Sequence, residues 1–205
     1  MGAGQMIRLR RICSAGILAG LVMMAVAFGL HRPPLDELGW ANFPTDAQVA
    51  SRLSRELGHA SGLYVYPALV GISAGDVETR NTHDRALQAS PSGFVLYRAP
   101  GDAVDDSRAM PEELLKTLMV ATLAAFLLAQ TSNTPRYLSR FGFVAIIGVI
   151  TSVSTHISYH AWFGFPGNYT VGRIVLDFVP WLFASLVIAH LVRPATDDLG
   201  QIPSK

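Results

Sequence analysis

Residues 12–30 read ICSAGILAGLVMMAVAFGL and contain no charged side chain. A helix needs about twenty predominantly apolar residues to cross a bilayer, because the hydrocarbon core is ~30 Å thick and each residue rises ~1.5 Å. The stretch therefore predicts a transmembrane helix. Arginines before it and the Ala25-Val26-Ala27 sequence near its end also resemble a cleaved signal peptide, but the apolar run is long for one, which favours a retained anchor.

Three further apolar runs follow, at residues 113–131, 141–160 and 172–192, the last interrupted by Asp177 and Pro180. Residues 31–112 contain nothing similar. We therefore expect a mainly α-helical integral membrane protein: a bundle of four transmembrane helices with a small α+β insert between the first and second.

The composition favours lipid as the solvent for this chain. Half of its 205 residues are apolar and 15% are charged, whereas soluble domains carry roughly a quarter charged residues. The net charge of +1 argues against a nucleic-acid partner. Cys13 is the only cysteine, and the sequence has no Walker loop and no HExxH, so no structural zinc or nucleotide site is predicted.

Arginines indicate the orientation of the helices. They flank the runs at residues 8–11, 136–140 and 193, whereas residues 161–171 contain no lysine or arginine. Such an excess marks cytoplasmic flanks, and long translocated segments largely escape the rule. We expect cytoplasmic segments at 1–11, 132–140 and 193–205, and extracytoplasmic segments at 31–112 and 161–171.

The insert predicts a small α+β fold. Thr45–Leu57 has helical apolar spacing, Gly62–Val70 and Gly93–Ala99 read as strands, and Asp76–Ala89 is polar enough for a surface helix or an ordered loop. Pro111 is expected to open the second transmembrane helix. Because so small a core is marginal alone, we expect the insert to pack on the membrane helices or on a partner.

Residues 151–160, TSVSTHISYH, form an unusually polar half of the third run, since eight of the ten side chains can hydrogen-bond. Such groups are costly against lipid, so we expect them to face the bundle interior, a water-filled cavity or another subunit. Ser152, His156 and His160 recur every four residues and form one stripe. Tyr159 belongs to the neighbouring stripe.

Depth suggests a partner for the intramembrane carboxylate of Asp177. If the third helix leaves the hydrocarbon near His160 and the fourth enters near Gly172, then His156 and Asp177 lie at a similar depth, about 6–7 Å inside. We expect Asp177 to pair with His156, or with Arg173 one turn away on its own helix.

Several kinds of site are open to this polar cluster. A hydrogen-bonded patch that fixes helix packing is the simplest interpretation. A proton relay, a transition-metal site made by His156, His160 and Asp177, or axial ligation of a haem or chlorin by histidine are the alternatives. The sequence does not identify a cofactor.

Two small-xxx-small patterns, Gly16 with Gly20 and Ala121 with Ala125, predict close helix packing. They carry no chemistry of their own.

The segments GLYVYP (62–67), PSGFVLY (91–97) and SYHAWFGFP (158–166), followed by Tyr169 and Thr170, resemble a family of small bacterial four-helix membrane proteins with a periplasmic insert. The resemblance spans most of the chain from the first helix to the fourth. It implies a multi-pass protein of the bacterial inner membrane with residues 31–112 in the periplasm, and no established activity. Members of that family tend to carry an acidic residue near position 156, where this chain has histidine.

The leading functional hypothesis is a non-enzymatic accessory or assembly subunit. It would contact the lipid bilayer and other membrane subunits, or a second copy of itself, through its helices and insert. The second hypothesis is a membrane redox, metal-binding or haem-binding module built on His156, His160 and Asp177. A transporter component is third, because the chain has one conspicuous intramembrane carboxylate and no internal repeat.

Overall fold

The computed structural model describes residues 3–35, 37–67, 77–102, 106–131 and 136–193. Within those ranges the chain forms six helices and two strands, which divide between two compact units. One unit comprises residues 1–40 and 106–205, and the other comprises residues 41–105. The elements in chain order are α1 (Ala3–Leu30), α2 (Asp46–Leu57), β1 (Gly62–Tyr66), α3 (Val77–Ala89), β2 (Gly93–Tyr97), α4 (Asp106–Gln130), α5 (Tyr137–Phe163) and α6 (Gly167–Leu191).

The larger unit is a bundle of four long helices. Helix α1 packs against both α4 and α6, and α5 packs against α6. Three helices are long and apolar enough to cross a membrane: α1 over Arg8–Leu30, α5 over Tyr137–Phe163 and α6 over Gly167–Leu191. The mainly helical class is thereby confirmed, and three of the four predicted runs lie on helices that could cross a membrane.

Helix α4 contains the remaining predicted span but is not among those three helices. It also begins at Asp106, earlier than the predicted start at Pro111, which lies inside the helix. Proline lacks an N–H group, so α4 forgoes one helical hydrogen bond at this position. Polar residues such as Glu112, Glu113 and Lys116 occupy the early turns.

Glycines let α1 and α4 approach closely. A Cβ on Gly16 would lie 2.5 Å from the Cα of Thr122, and a Cβ on Gly20 would lie 2.7 Å from the Cα of Leu118. Real Cβ atoms do not come so near a backbone atom. The predicted packing role of this glycine pair is confirmed.

The same interface is closed by alanines and by an arginine at its end. Ala121 and Ala125 are fully buried, as their spacing predicted. At the end of α4, the Arg8 guanidinium donates to the Ala129 carbonyl and to Oε1 of Gln130. A cation at this position also complements the negative end of the helix dipole. The two helices are therefore antiparallel.

Helices α5 and α6 meet through larger and more polar side chains. A Cβ on Gly148 would lie 2.5 Å from the Cβ of Trp181, so the indole occupies the space beside this glycine. Arg140 is buried, and its Nε donates to the Ala189 carbonyl over 2.9 Å. The buried residues of α5 recur every four positions, which defines one face against α6.

The smaller unit is built around a two-stranded antiparallel sheet in which Leu63 pairs with Leu96 and Tyr64 with Val95. The second predicted strand ends at Tyr97 rather than Ala99, and residues 68–70 of the first lie outside the described residues. Within the predicted helix or loop at 76–89, the described part forms α3.

Tyr64 and Tyr97 lie on the same face of the sheet and hydrogen-bond to the segment that follows α2. Tyr97 donates its hydroxyl to the Gly58 carbonyl over 2.8 Å, and Tyr64 donates to the Ala60 carbonyl over 2.6 Å. Neither α2 nor α3 has a buried residue. The expectation of a very small core in this unit is met.

Candidate functional site

Most hydroxyl groups in the polar half of α5 donate hydrogen bonds to backbone carbonyls of the same helix. Thr155 donates to the Thr151 carbonyl, and Ser158 donates to the Ser154 carbonyl one turn back. This local bonding lowers the cost of a polar side chain in an apolar setting. Ser154 and Ser158 are exposed. The polarity of the stretch therefore does not require all of it to be enclosed.

Ser152 and His156 are the two buried side chains of that polar stretch, with relative exposures of 3% and 7%. They lie on the face of α5 that meets α6, one helical turn apart. This face is the predicted stripe, and His156 is its deepest titratable group.

His156 and Asp177 form a direct pair between α5 and α6. The imidazole Nε2 lies 2.6 Å from Oδ2 of Asp177, and its N–H donates to the carboxylate. The Asp177 side chain keeps 40% of its surface exposed. The contact is the one expected from the similar depths of the two residues in antiparallel helices.

Arg173, the other candidate partner of Asp177, is engaged elsewhere. Its guanidinium donates to Nε2 of His31 over 3.3 Å. The imidazole of His31 in turn donates from Nδ1 to the Ala27 carbonyl over 2.9 Å, which leaves Nε2 free to accept. Arg173 thus meets an imidazole nitrogen, and no carboxylate among the described residues pairs with it.

His160 does not join the His156–Asp177 pair. Its Nδ1 donates to the Phe165 carbonyl over 2.6 Å. This bond depends on Gly164, which ends α5 in the left-handed region at φ +70° and turns the chain back towards the helix. The four-residue spacing predicted that His160 lies beside His156. It carries no information about a hydrogen bond from His160 to the turn that follows α5.

The structure therefore does not bring together His156, His160 and Asp177, the candidate metal ligands, as one group. Across the part of the chain that the structure describes, no three His, Cys, Asp or Glu side chains are grouped to hold a metal ion. The Nε2 atom of His156 is also committed to Asp177.

Tyr159 packs on the imidazole of His156 within a row of aromatic rings. Its ring centroid lies 6.3 Å from that of His156 and 5.8 Å from that of Phe165. The row continues through Tyr169 to Trp40, with centroid separations of 5.1 and 5.7 Å. Tyr159 therefore helps to fix the imidazole orientation.

A cavity of about 1030 Å³ lies between α1, α4, α5 and α6. Its size is at the upper end of the ~300–1,000 Å³ range of small-molecule sites. Asp177 lines it, as do Arg173 and His31. The polar side chains contributed by the other two helices are Glu113, Lys116, Thr117, Thr151, Ser152 and Thr155.

The hydroxyl of Ser152 is an unsatisfied polar group in the wall of this cavity. Its Oγ is buried and has no hydrogen-bond partner among the described residues. A buried hydroxyl without a partner costs roughly 1–3 kcal/mol. Such an atom marks a place where a bound group would restore a hydrogen bond.

The cavity and Arg140 were not predicted from the sequence. Arg140 is the last residue of the predicted loop at 132–140. Nothing in the sequence of that loop indicates a hydrogen bond to a carbonyl 49 residues away. The cavity depends on how four helices diverge. Their periodicity alone does not specify that.

No family model matches the chain, and no curated protein and no solved structure is detectably similar to it.

Proposed function

We propose that this protein is a non-catalytic accessory subunit of a membrane complex, with four spans in a bacterial inner membrane and a periplasmic insert at residues 31–112. The observation that carries the proposal is an uncovered apolar face on the sheet of the insert. The family resemblance and the arginine distribution supply the bacterial setting and the orientation.

The contacts of α4 with α1 support a fourth span. Arg8, Gly16 and Gly20 of α1 meet successive positions along α4, and Arg8 to Gly20 covers about 18 Å of helix. A helix that packs alongside a membrane-spanning helix over that distance lies at the same depth in the hydrocarbon layer. Between residues 117 and 129 the exposed large side chains of α4 are also apolar: Met119, Leu123, Phe126 and Leu127.

The sheet of the insert leaves two paired leucines uncovered. Leu63 and Leu96 oppose each other across the strands and remain 67% and 64% exposed. Val65 extends the same face at 40% exposure. Contiguous exposed apolar surface on a small folded unit is typical of an interaction site.

A partner protein suits this face better than acyl chains. The sheet has two strands in the described part of the unit, so each strand keeps one open edge. Open edges present backbone N–H and C=O groups that a protein strand or loop satisfies and that lipid cannot. The proposed occupant is therefore a neighbouring protein subunit.

The test is photocrosslinking in intact cells. A photoreactive phenylalanine analogue at Leu63 is expected to give one discrete protein adduct. The matched control carries the same analogue at Gln48, which is exposed on α2. Leu96→Glu should abolish the adduct from position 63. Crosslinks to lipid alone, or equal adducts from both positions, would contradict the accessory role.

The redox-module alternative has less support. Its proposed ligand set is divided, because His160 is bonded to Phe165 and His156 to Asp177. No separate observation favours a transporter component.

A further inference from the structure

The cavity between α1, α4, α5 and α6 has a balanced set of charges. Glu113 and Lys116 form an ion pair on α4. Asp177 and Arg173 contribute one negative and one positive charge from α6. A ligand with a net charge would enter without a counter-charge in an apolar setting, which is costly. The lining therefore favours a ligand with no net charge.

Two hydrogen-bonding groups on α6 remain available to such a ligand. Oδ2 of Asp177 is bonded to His156, which leaves Oδ1 as an acceptor without a partner among the described residues. Arg173 has further N–H donors beyond the one directed at His31. The two residues are four apart and line the same cavity, about 6 Å apart along the helix axis.

The remaining wall suits a flat, conjugated group. Met23 and Phe28 of α1, Met110 of α4 and Trp181 of α6 all line the cavity. Aromatic faces and thioethers make favourable contacts with an aromatic ring beyond simple burial.

We propose that this cavity binds a para-quinol carrying an apolar tail. The two oxygens of such a ring lie at opposite ends, a separation comparable to one helical turn. One hydroxyl donates to Oδ1 of Asp177, and the other accepts from Arg173. The tail follows the apolar side chains of α1 and α4, and the Ser152 hydroxyl gains a polar neighbour.

The order of the charges disfavours a zwitterionic phospholipid as the ligand. Arg173 lies nearer the start of α6 than Asp177, so the cation is closer to the membrane surface and the carboxylate deeper. A phospholipid with an amine head group has its phosphate below its amine, the reverse of what these two residues would bind. This argument holds for either orientation of the chain.

The acceptor on Asp177 predicts selectivity between redox states. A quinone presents carbonyl oxygens only, and one of them would face the Asp177 carboxylate with no proton between them. A quinol supplies that proton. The cavity should therefore prefer the reduced ring, and Asp177→Asn should remove the preference, because an amide can donate to a quinone carbonyl and accept from a quinol hydroxyl.

Calorimetric titration of the full chain in phosphatidylcholine nanodiscs tests the proposal. The probes are decyl-1,4-hydroquinone under argon, its dimethyl ether and the matching quinone. We expect the hydroquinone to bind about tenfold or more tightly than the ether or the quinone, as loss of a hydrogen bond to a charged group implies. A Trp40→Phe, Trp162→Phe background leaves Trp181 as the only tryptophan, and its emission should change on binding.

Two variants complete the experiment. Asp177→Asn should weaken hydroquinone binding by about tenfold and remove the advantage over the quinone. Arg136→Gln, an exposed arginine outside the cavity, should bind as the wild type does. No hydroquinone binding, equal binding of hydroquinone and ether in the wild type, or displacement of the hydroquinone by added phosphatidylethanolamine would overturn the proposal. The comparison of probes in the wild type decides the matter even if Asp177→Asn does not fold.

Discussion

The α1–α4 and α5–α6 interfaces join antiparallel helices in the same bundle by different means. In the first, Gly16 and Gly20 bring two backbones together, and the Thr122 hydroxyl beside Gly16 donates within its own helix, to the Leu118 carbonyl. In the second, Arg140, His156 and Asp177 bridge the helices through hydrogen bonds. The α1–α4 contact depends on the small volume of its glycines, whereas the α5–α6 contact depends on hydrogen bonds between the two helices. Substitutions should therefore have different effects at the two interfaces.

The largest expected effect is at the glycine contact. Gly16→Leu must push α4 away, because even a Cβ would lie 2.5 Å from the Thr122 Cα. We expect a loss of about 3 kcal/mol in the free energy of unfolding, since overpacking at a backbone contact cannot be relieved by a rotamer change. Denaturation of the detergent-solubilised protein measures the loss. Gly29→Leu is the matched control, because the same helix has open space there.

The His156–Asp177 pair should give an intermediate effect. His156→Leu leaves the carboxylate without its partner, and we expect a loss of about 1–2 kcal/mol, less than for a fully buried pair because Asp177 is 40% exposed. A double-mutant cycle with Asp177→Leu should give a coupling energy of similar size. Additive single effects would show that the contact contributes nothing to folding.

The smallest effect is expected at Ser152. Its hydroxyl has no hydrogen-bond partner among the described residues, so Ser152→Ala removes no bond. We expect a change within about 0.5 kcal/mol, or a slight gain, because an unsatisfied buried group is removed. Thr170→Val is an instructive contrast, since the Thr170 hydroxyl donates to the Pro166 carbonyl. A loss at Ser152 above 1 kcal/mol would indicate a partner such as ordered water.

The two interfaces also differ in how far the sequence predicted them. The glycine and alanine spacings in α1 and α4 predicted a close contact, because small residues at four-residue intervals act through the backbone geometry that every helix shares. The His156–Asp177 pair followed from depth, which needs only helix rise and chain direction. Both predictions rest on geometry that is independent of neighbouring side chains.

The sequence was less informative where the outcome depends on a hydrogen bond formed in a nearby turn or on how the helices diverge. His160 shares the spacing of His156, but the turn at Gly164 brings the Phe165 carbonyl within reach of it. Gly148 lies outside the two small-residue pairs that were singled out, and its partner Trp181 lies on another helix. Neither the cavity nor the start of α4 before Pro111 is encoded in a periodic pattern.

The bond between Arg8 and the end of α4 joins groups 121 residues apart in the chain. At a synthesis rate of ~5–20 residues per second, the first helix is made roughly 6–24 s before its acceptor emerges from the ribosome. During that interval its glycine face has no α4 to cover it. The uncharged stretch at residues 12–30 therefore has to be stable in lipid as a solitary helix. The bundle can close only when biosynthesis is well advanced.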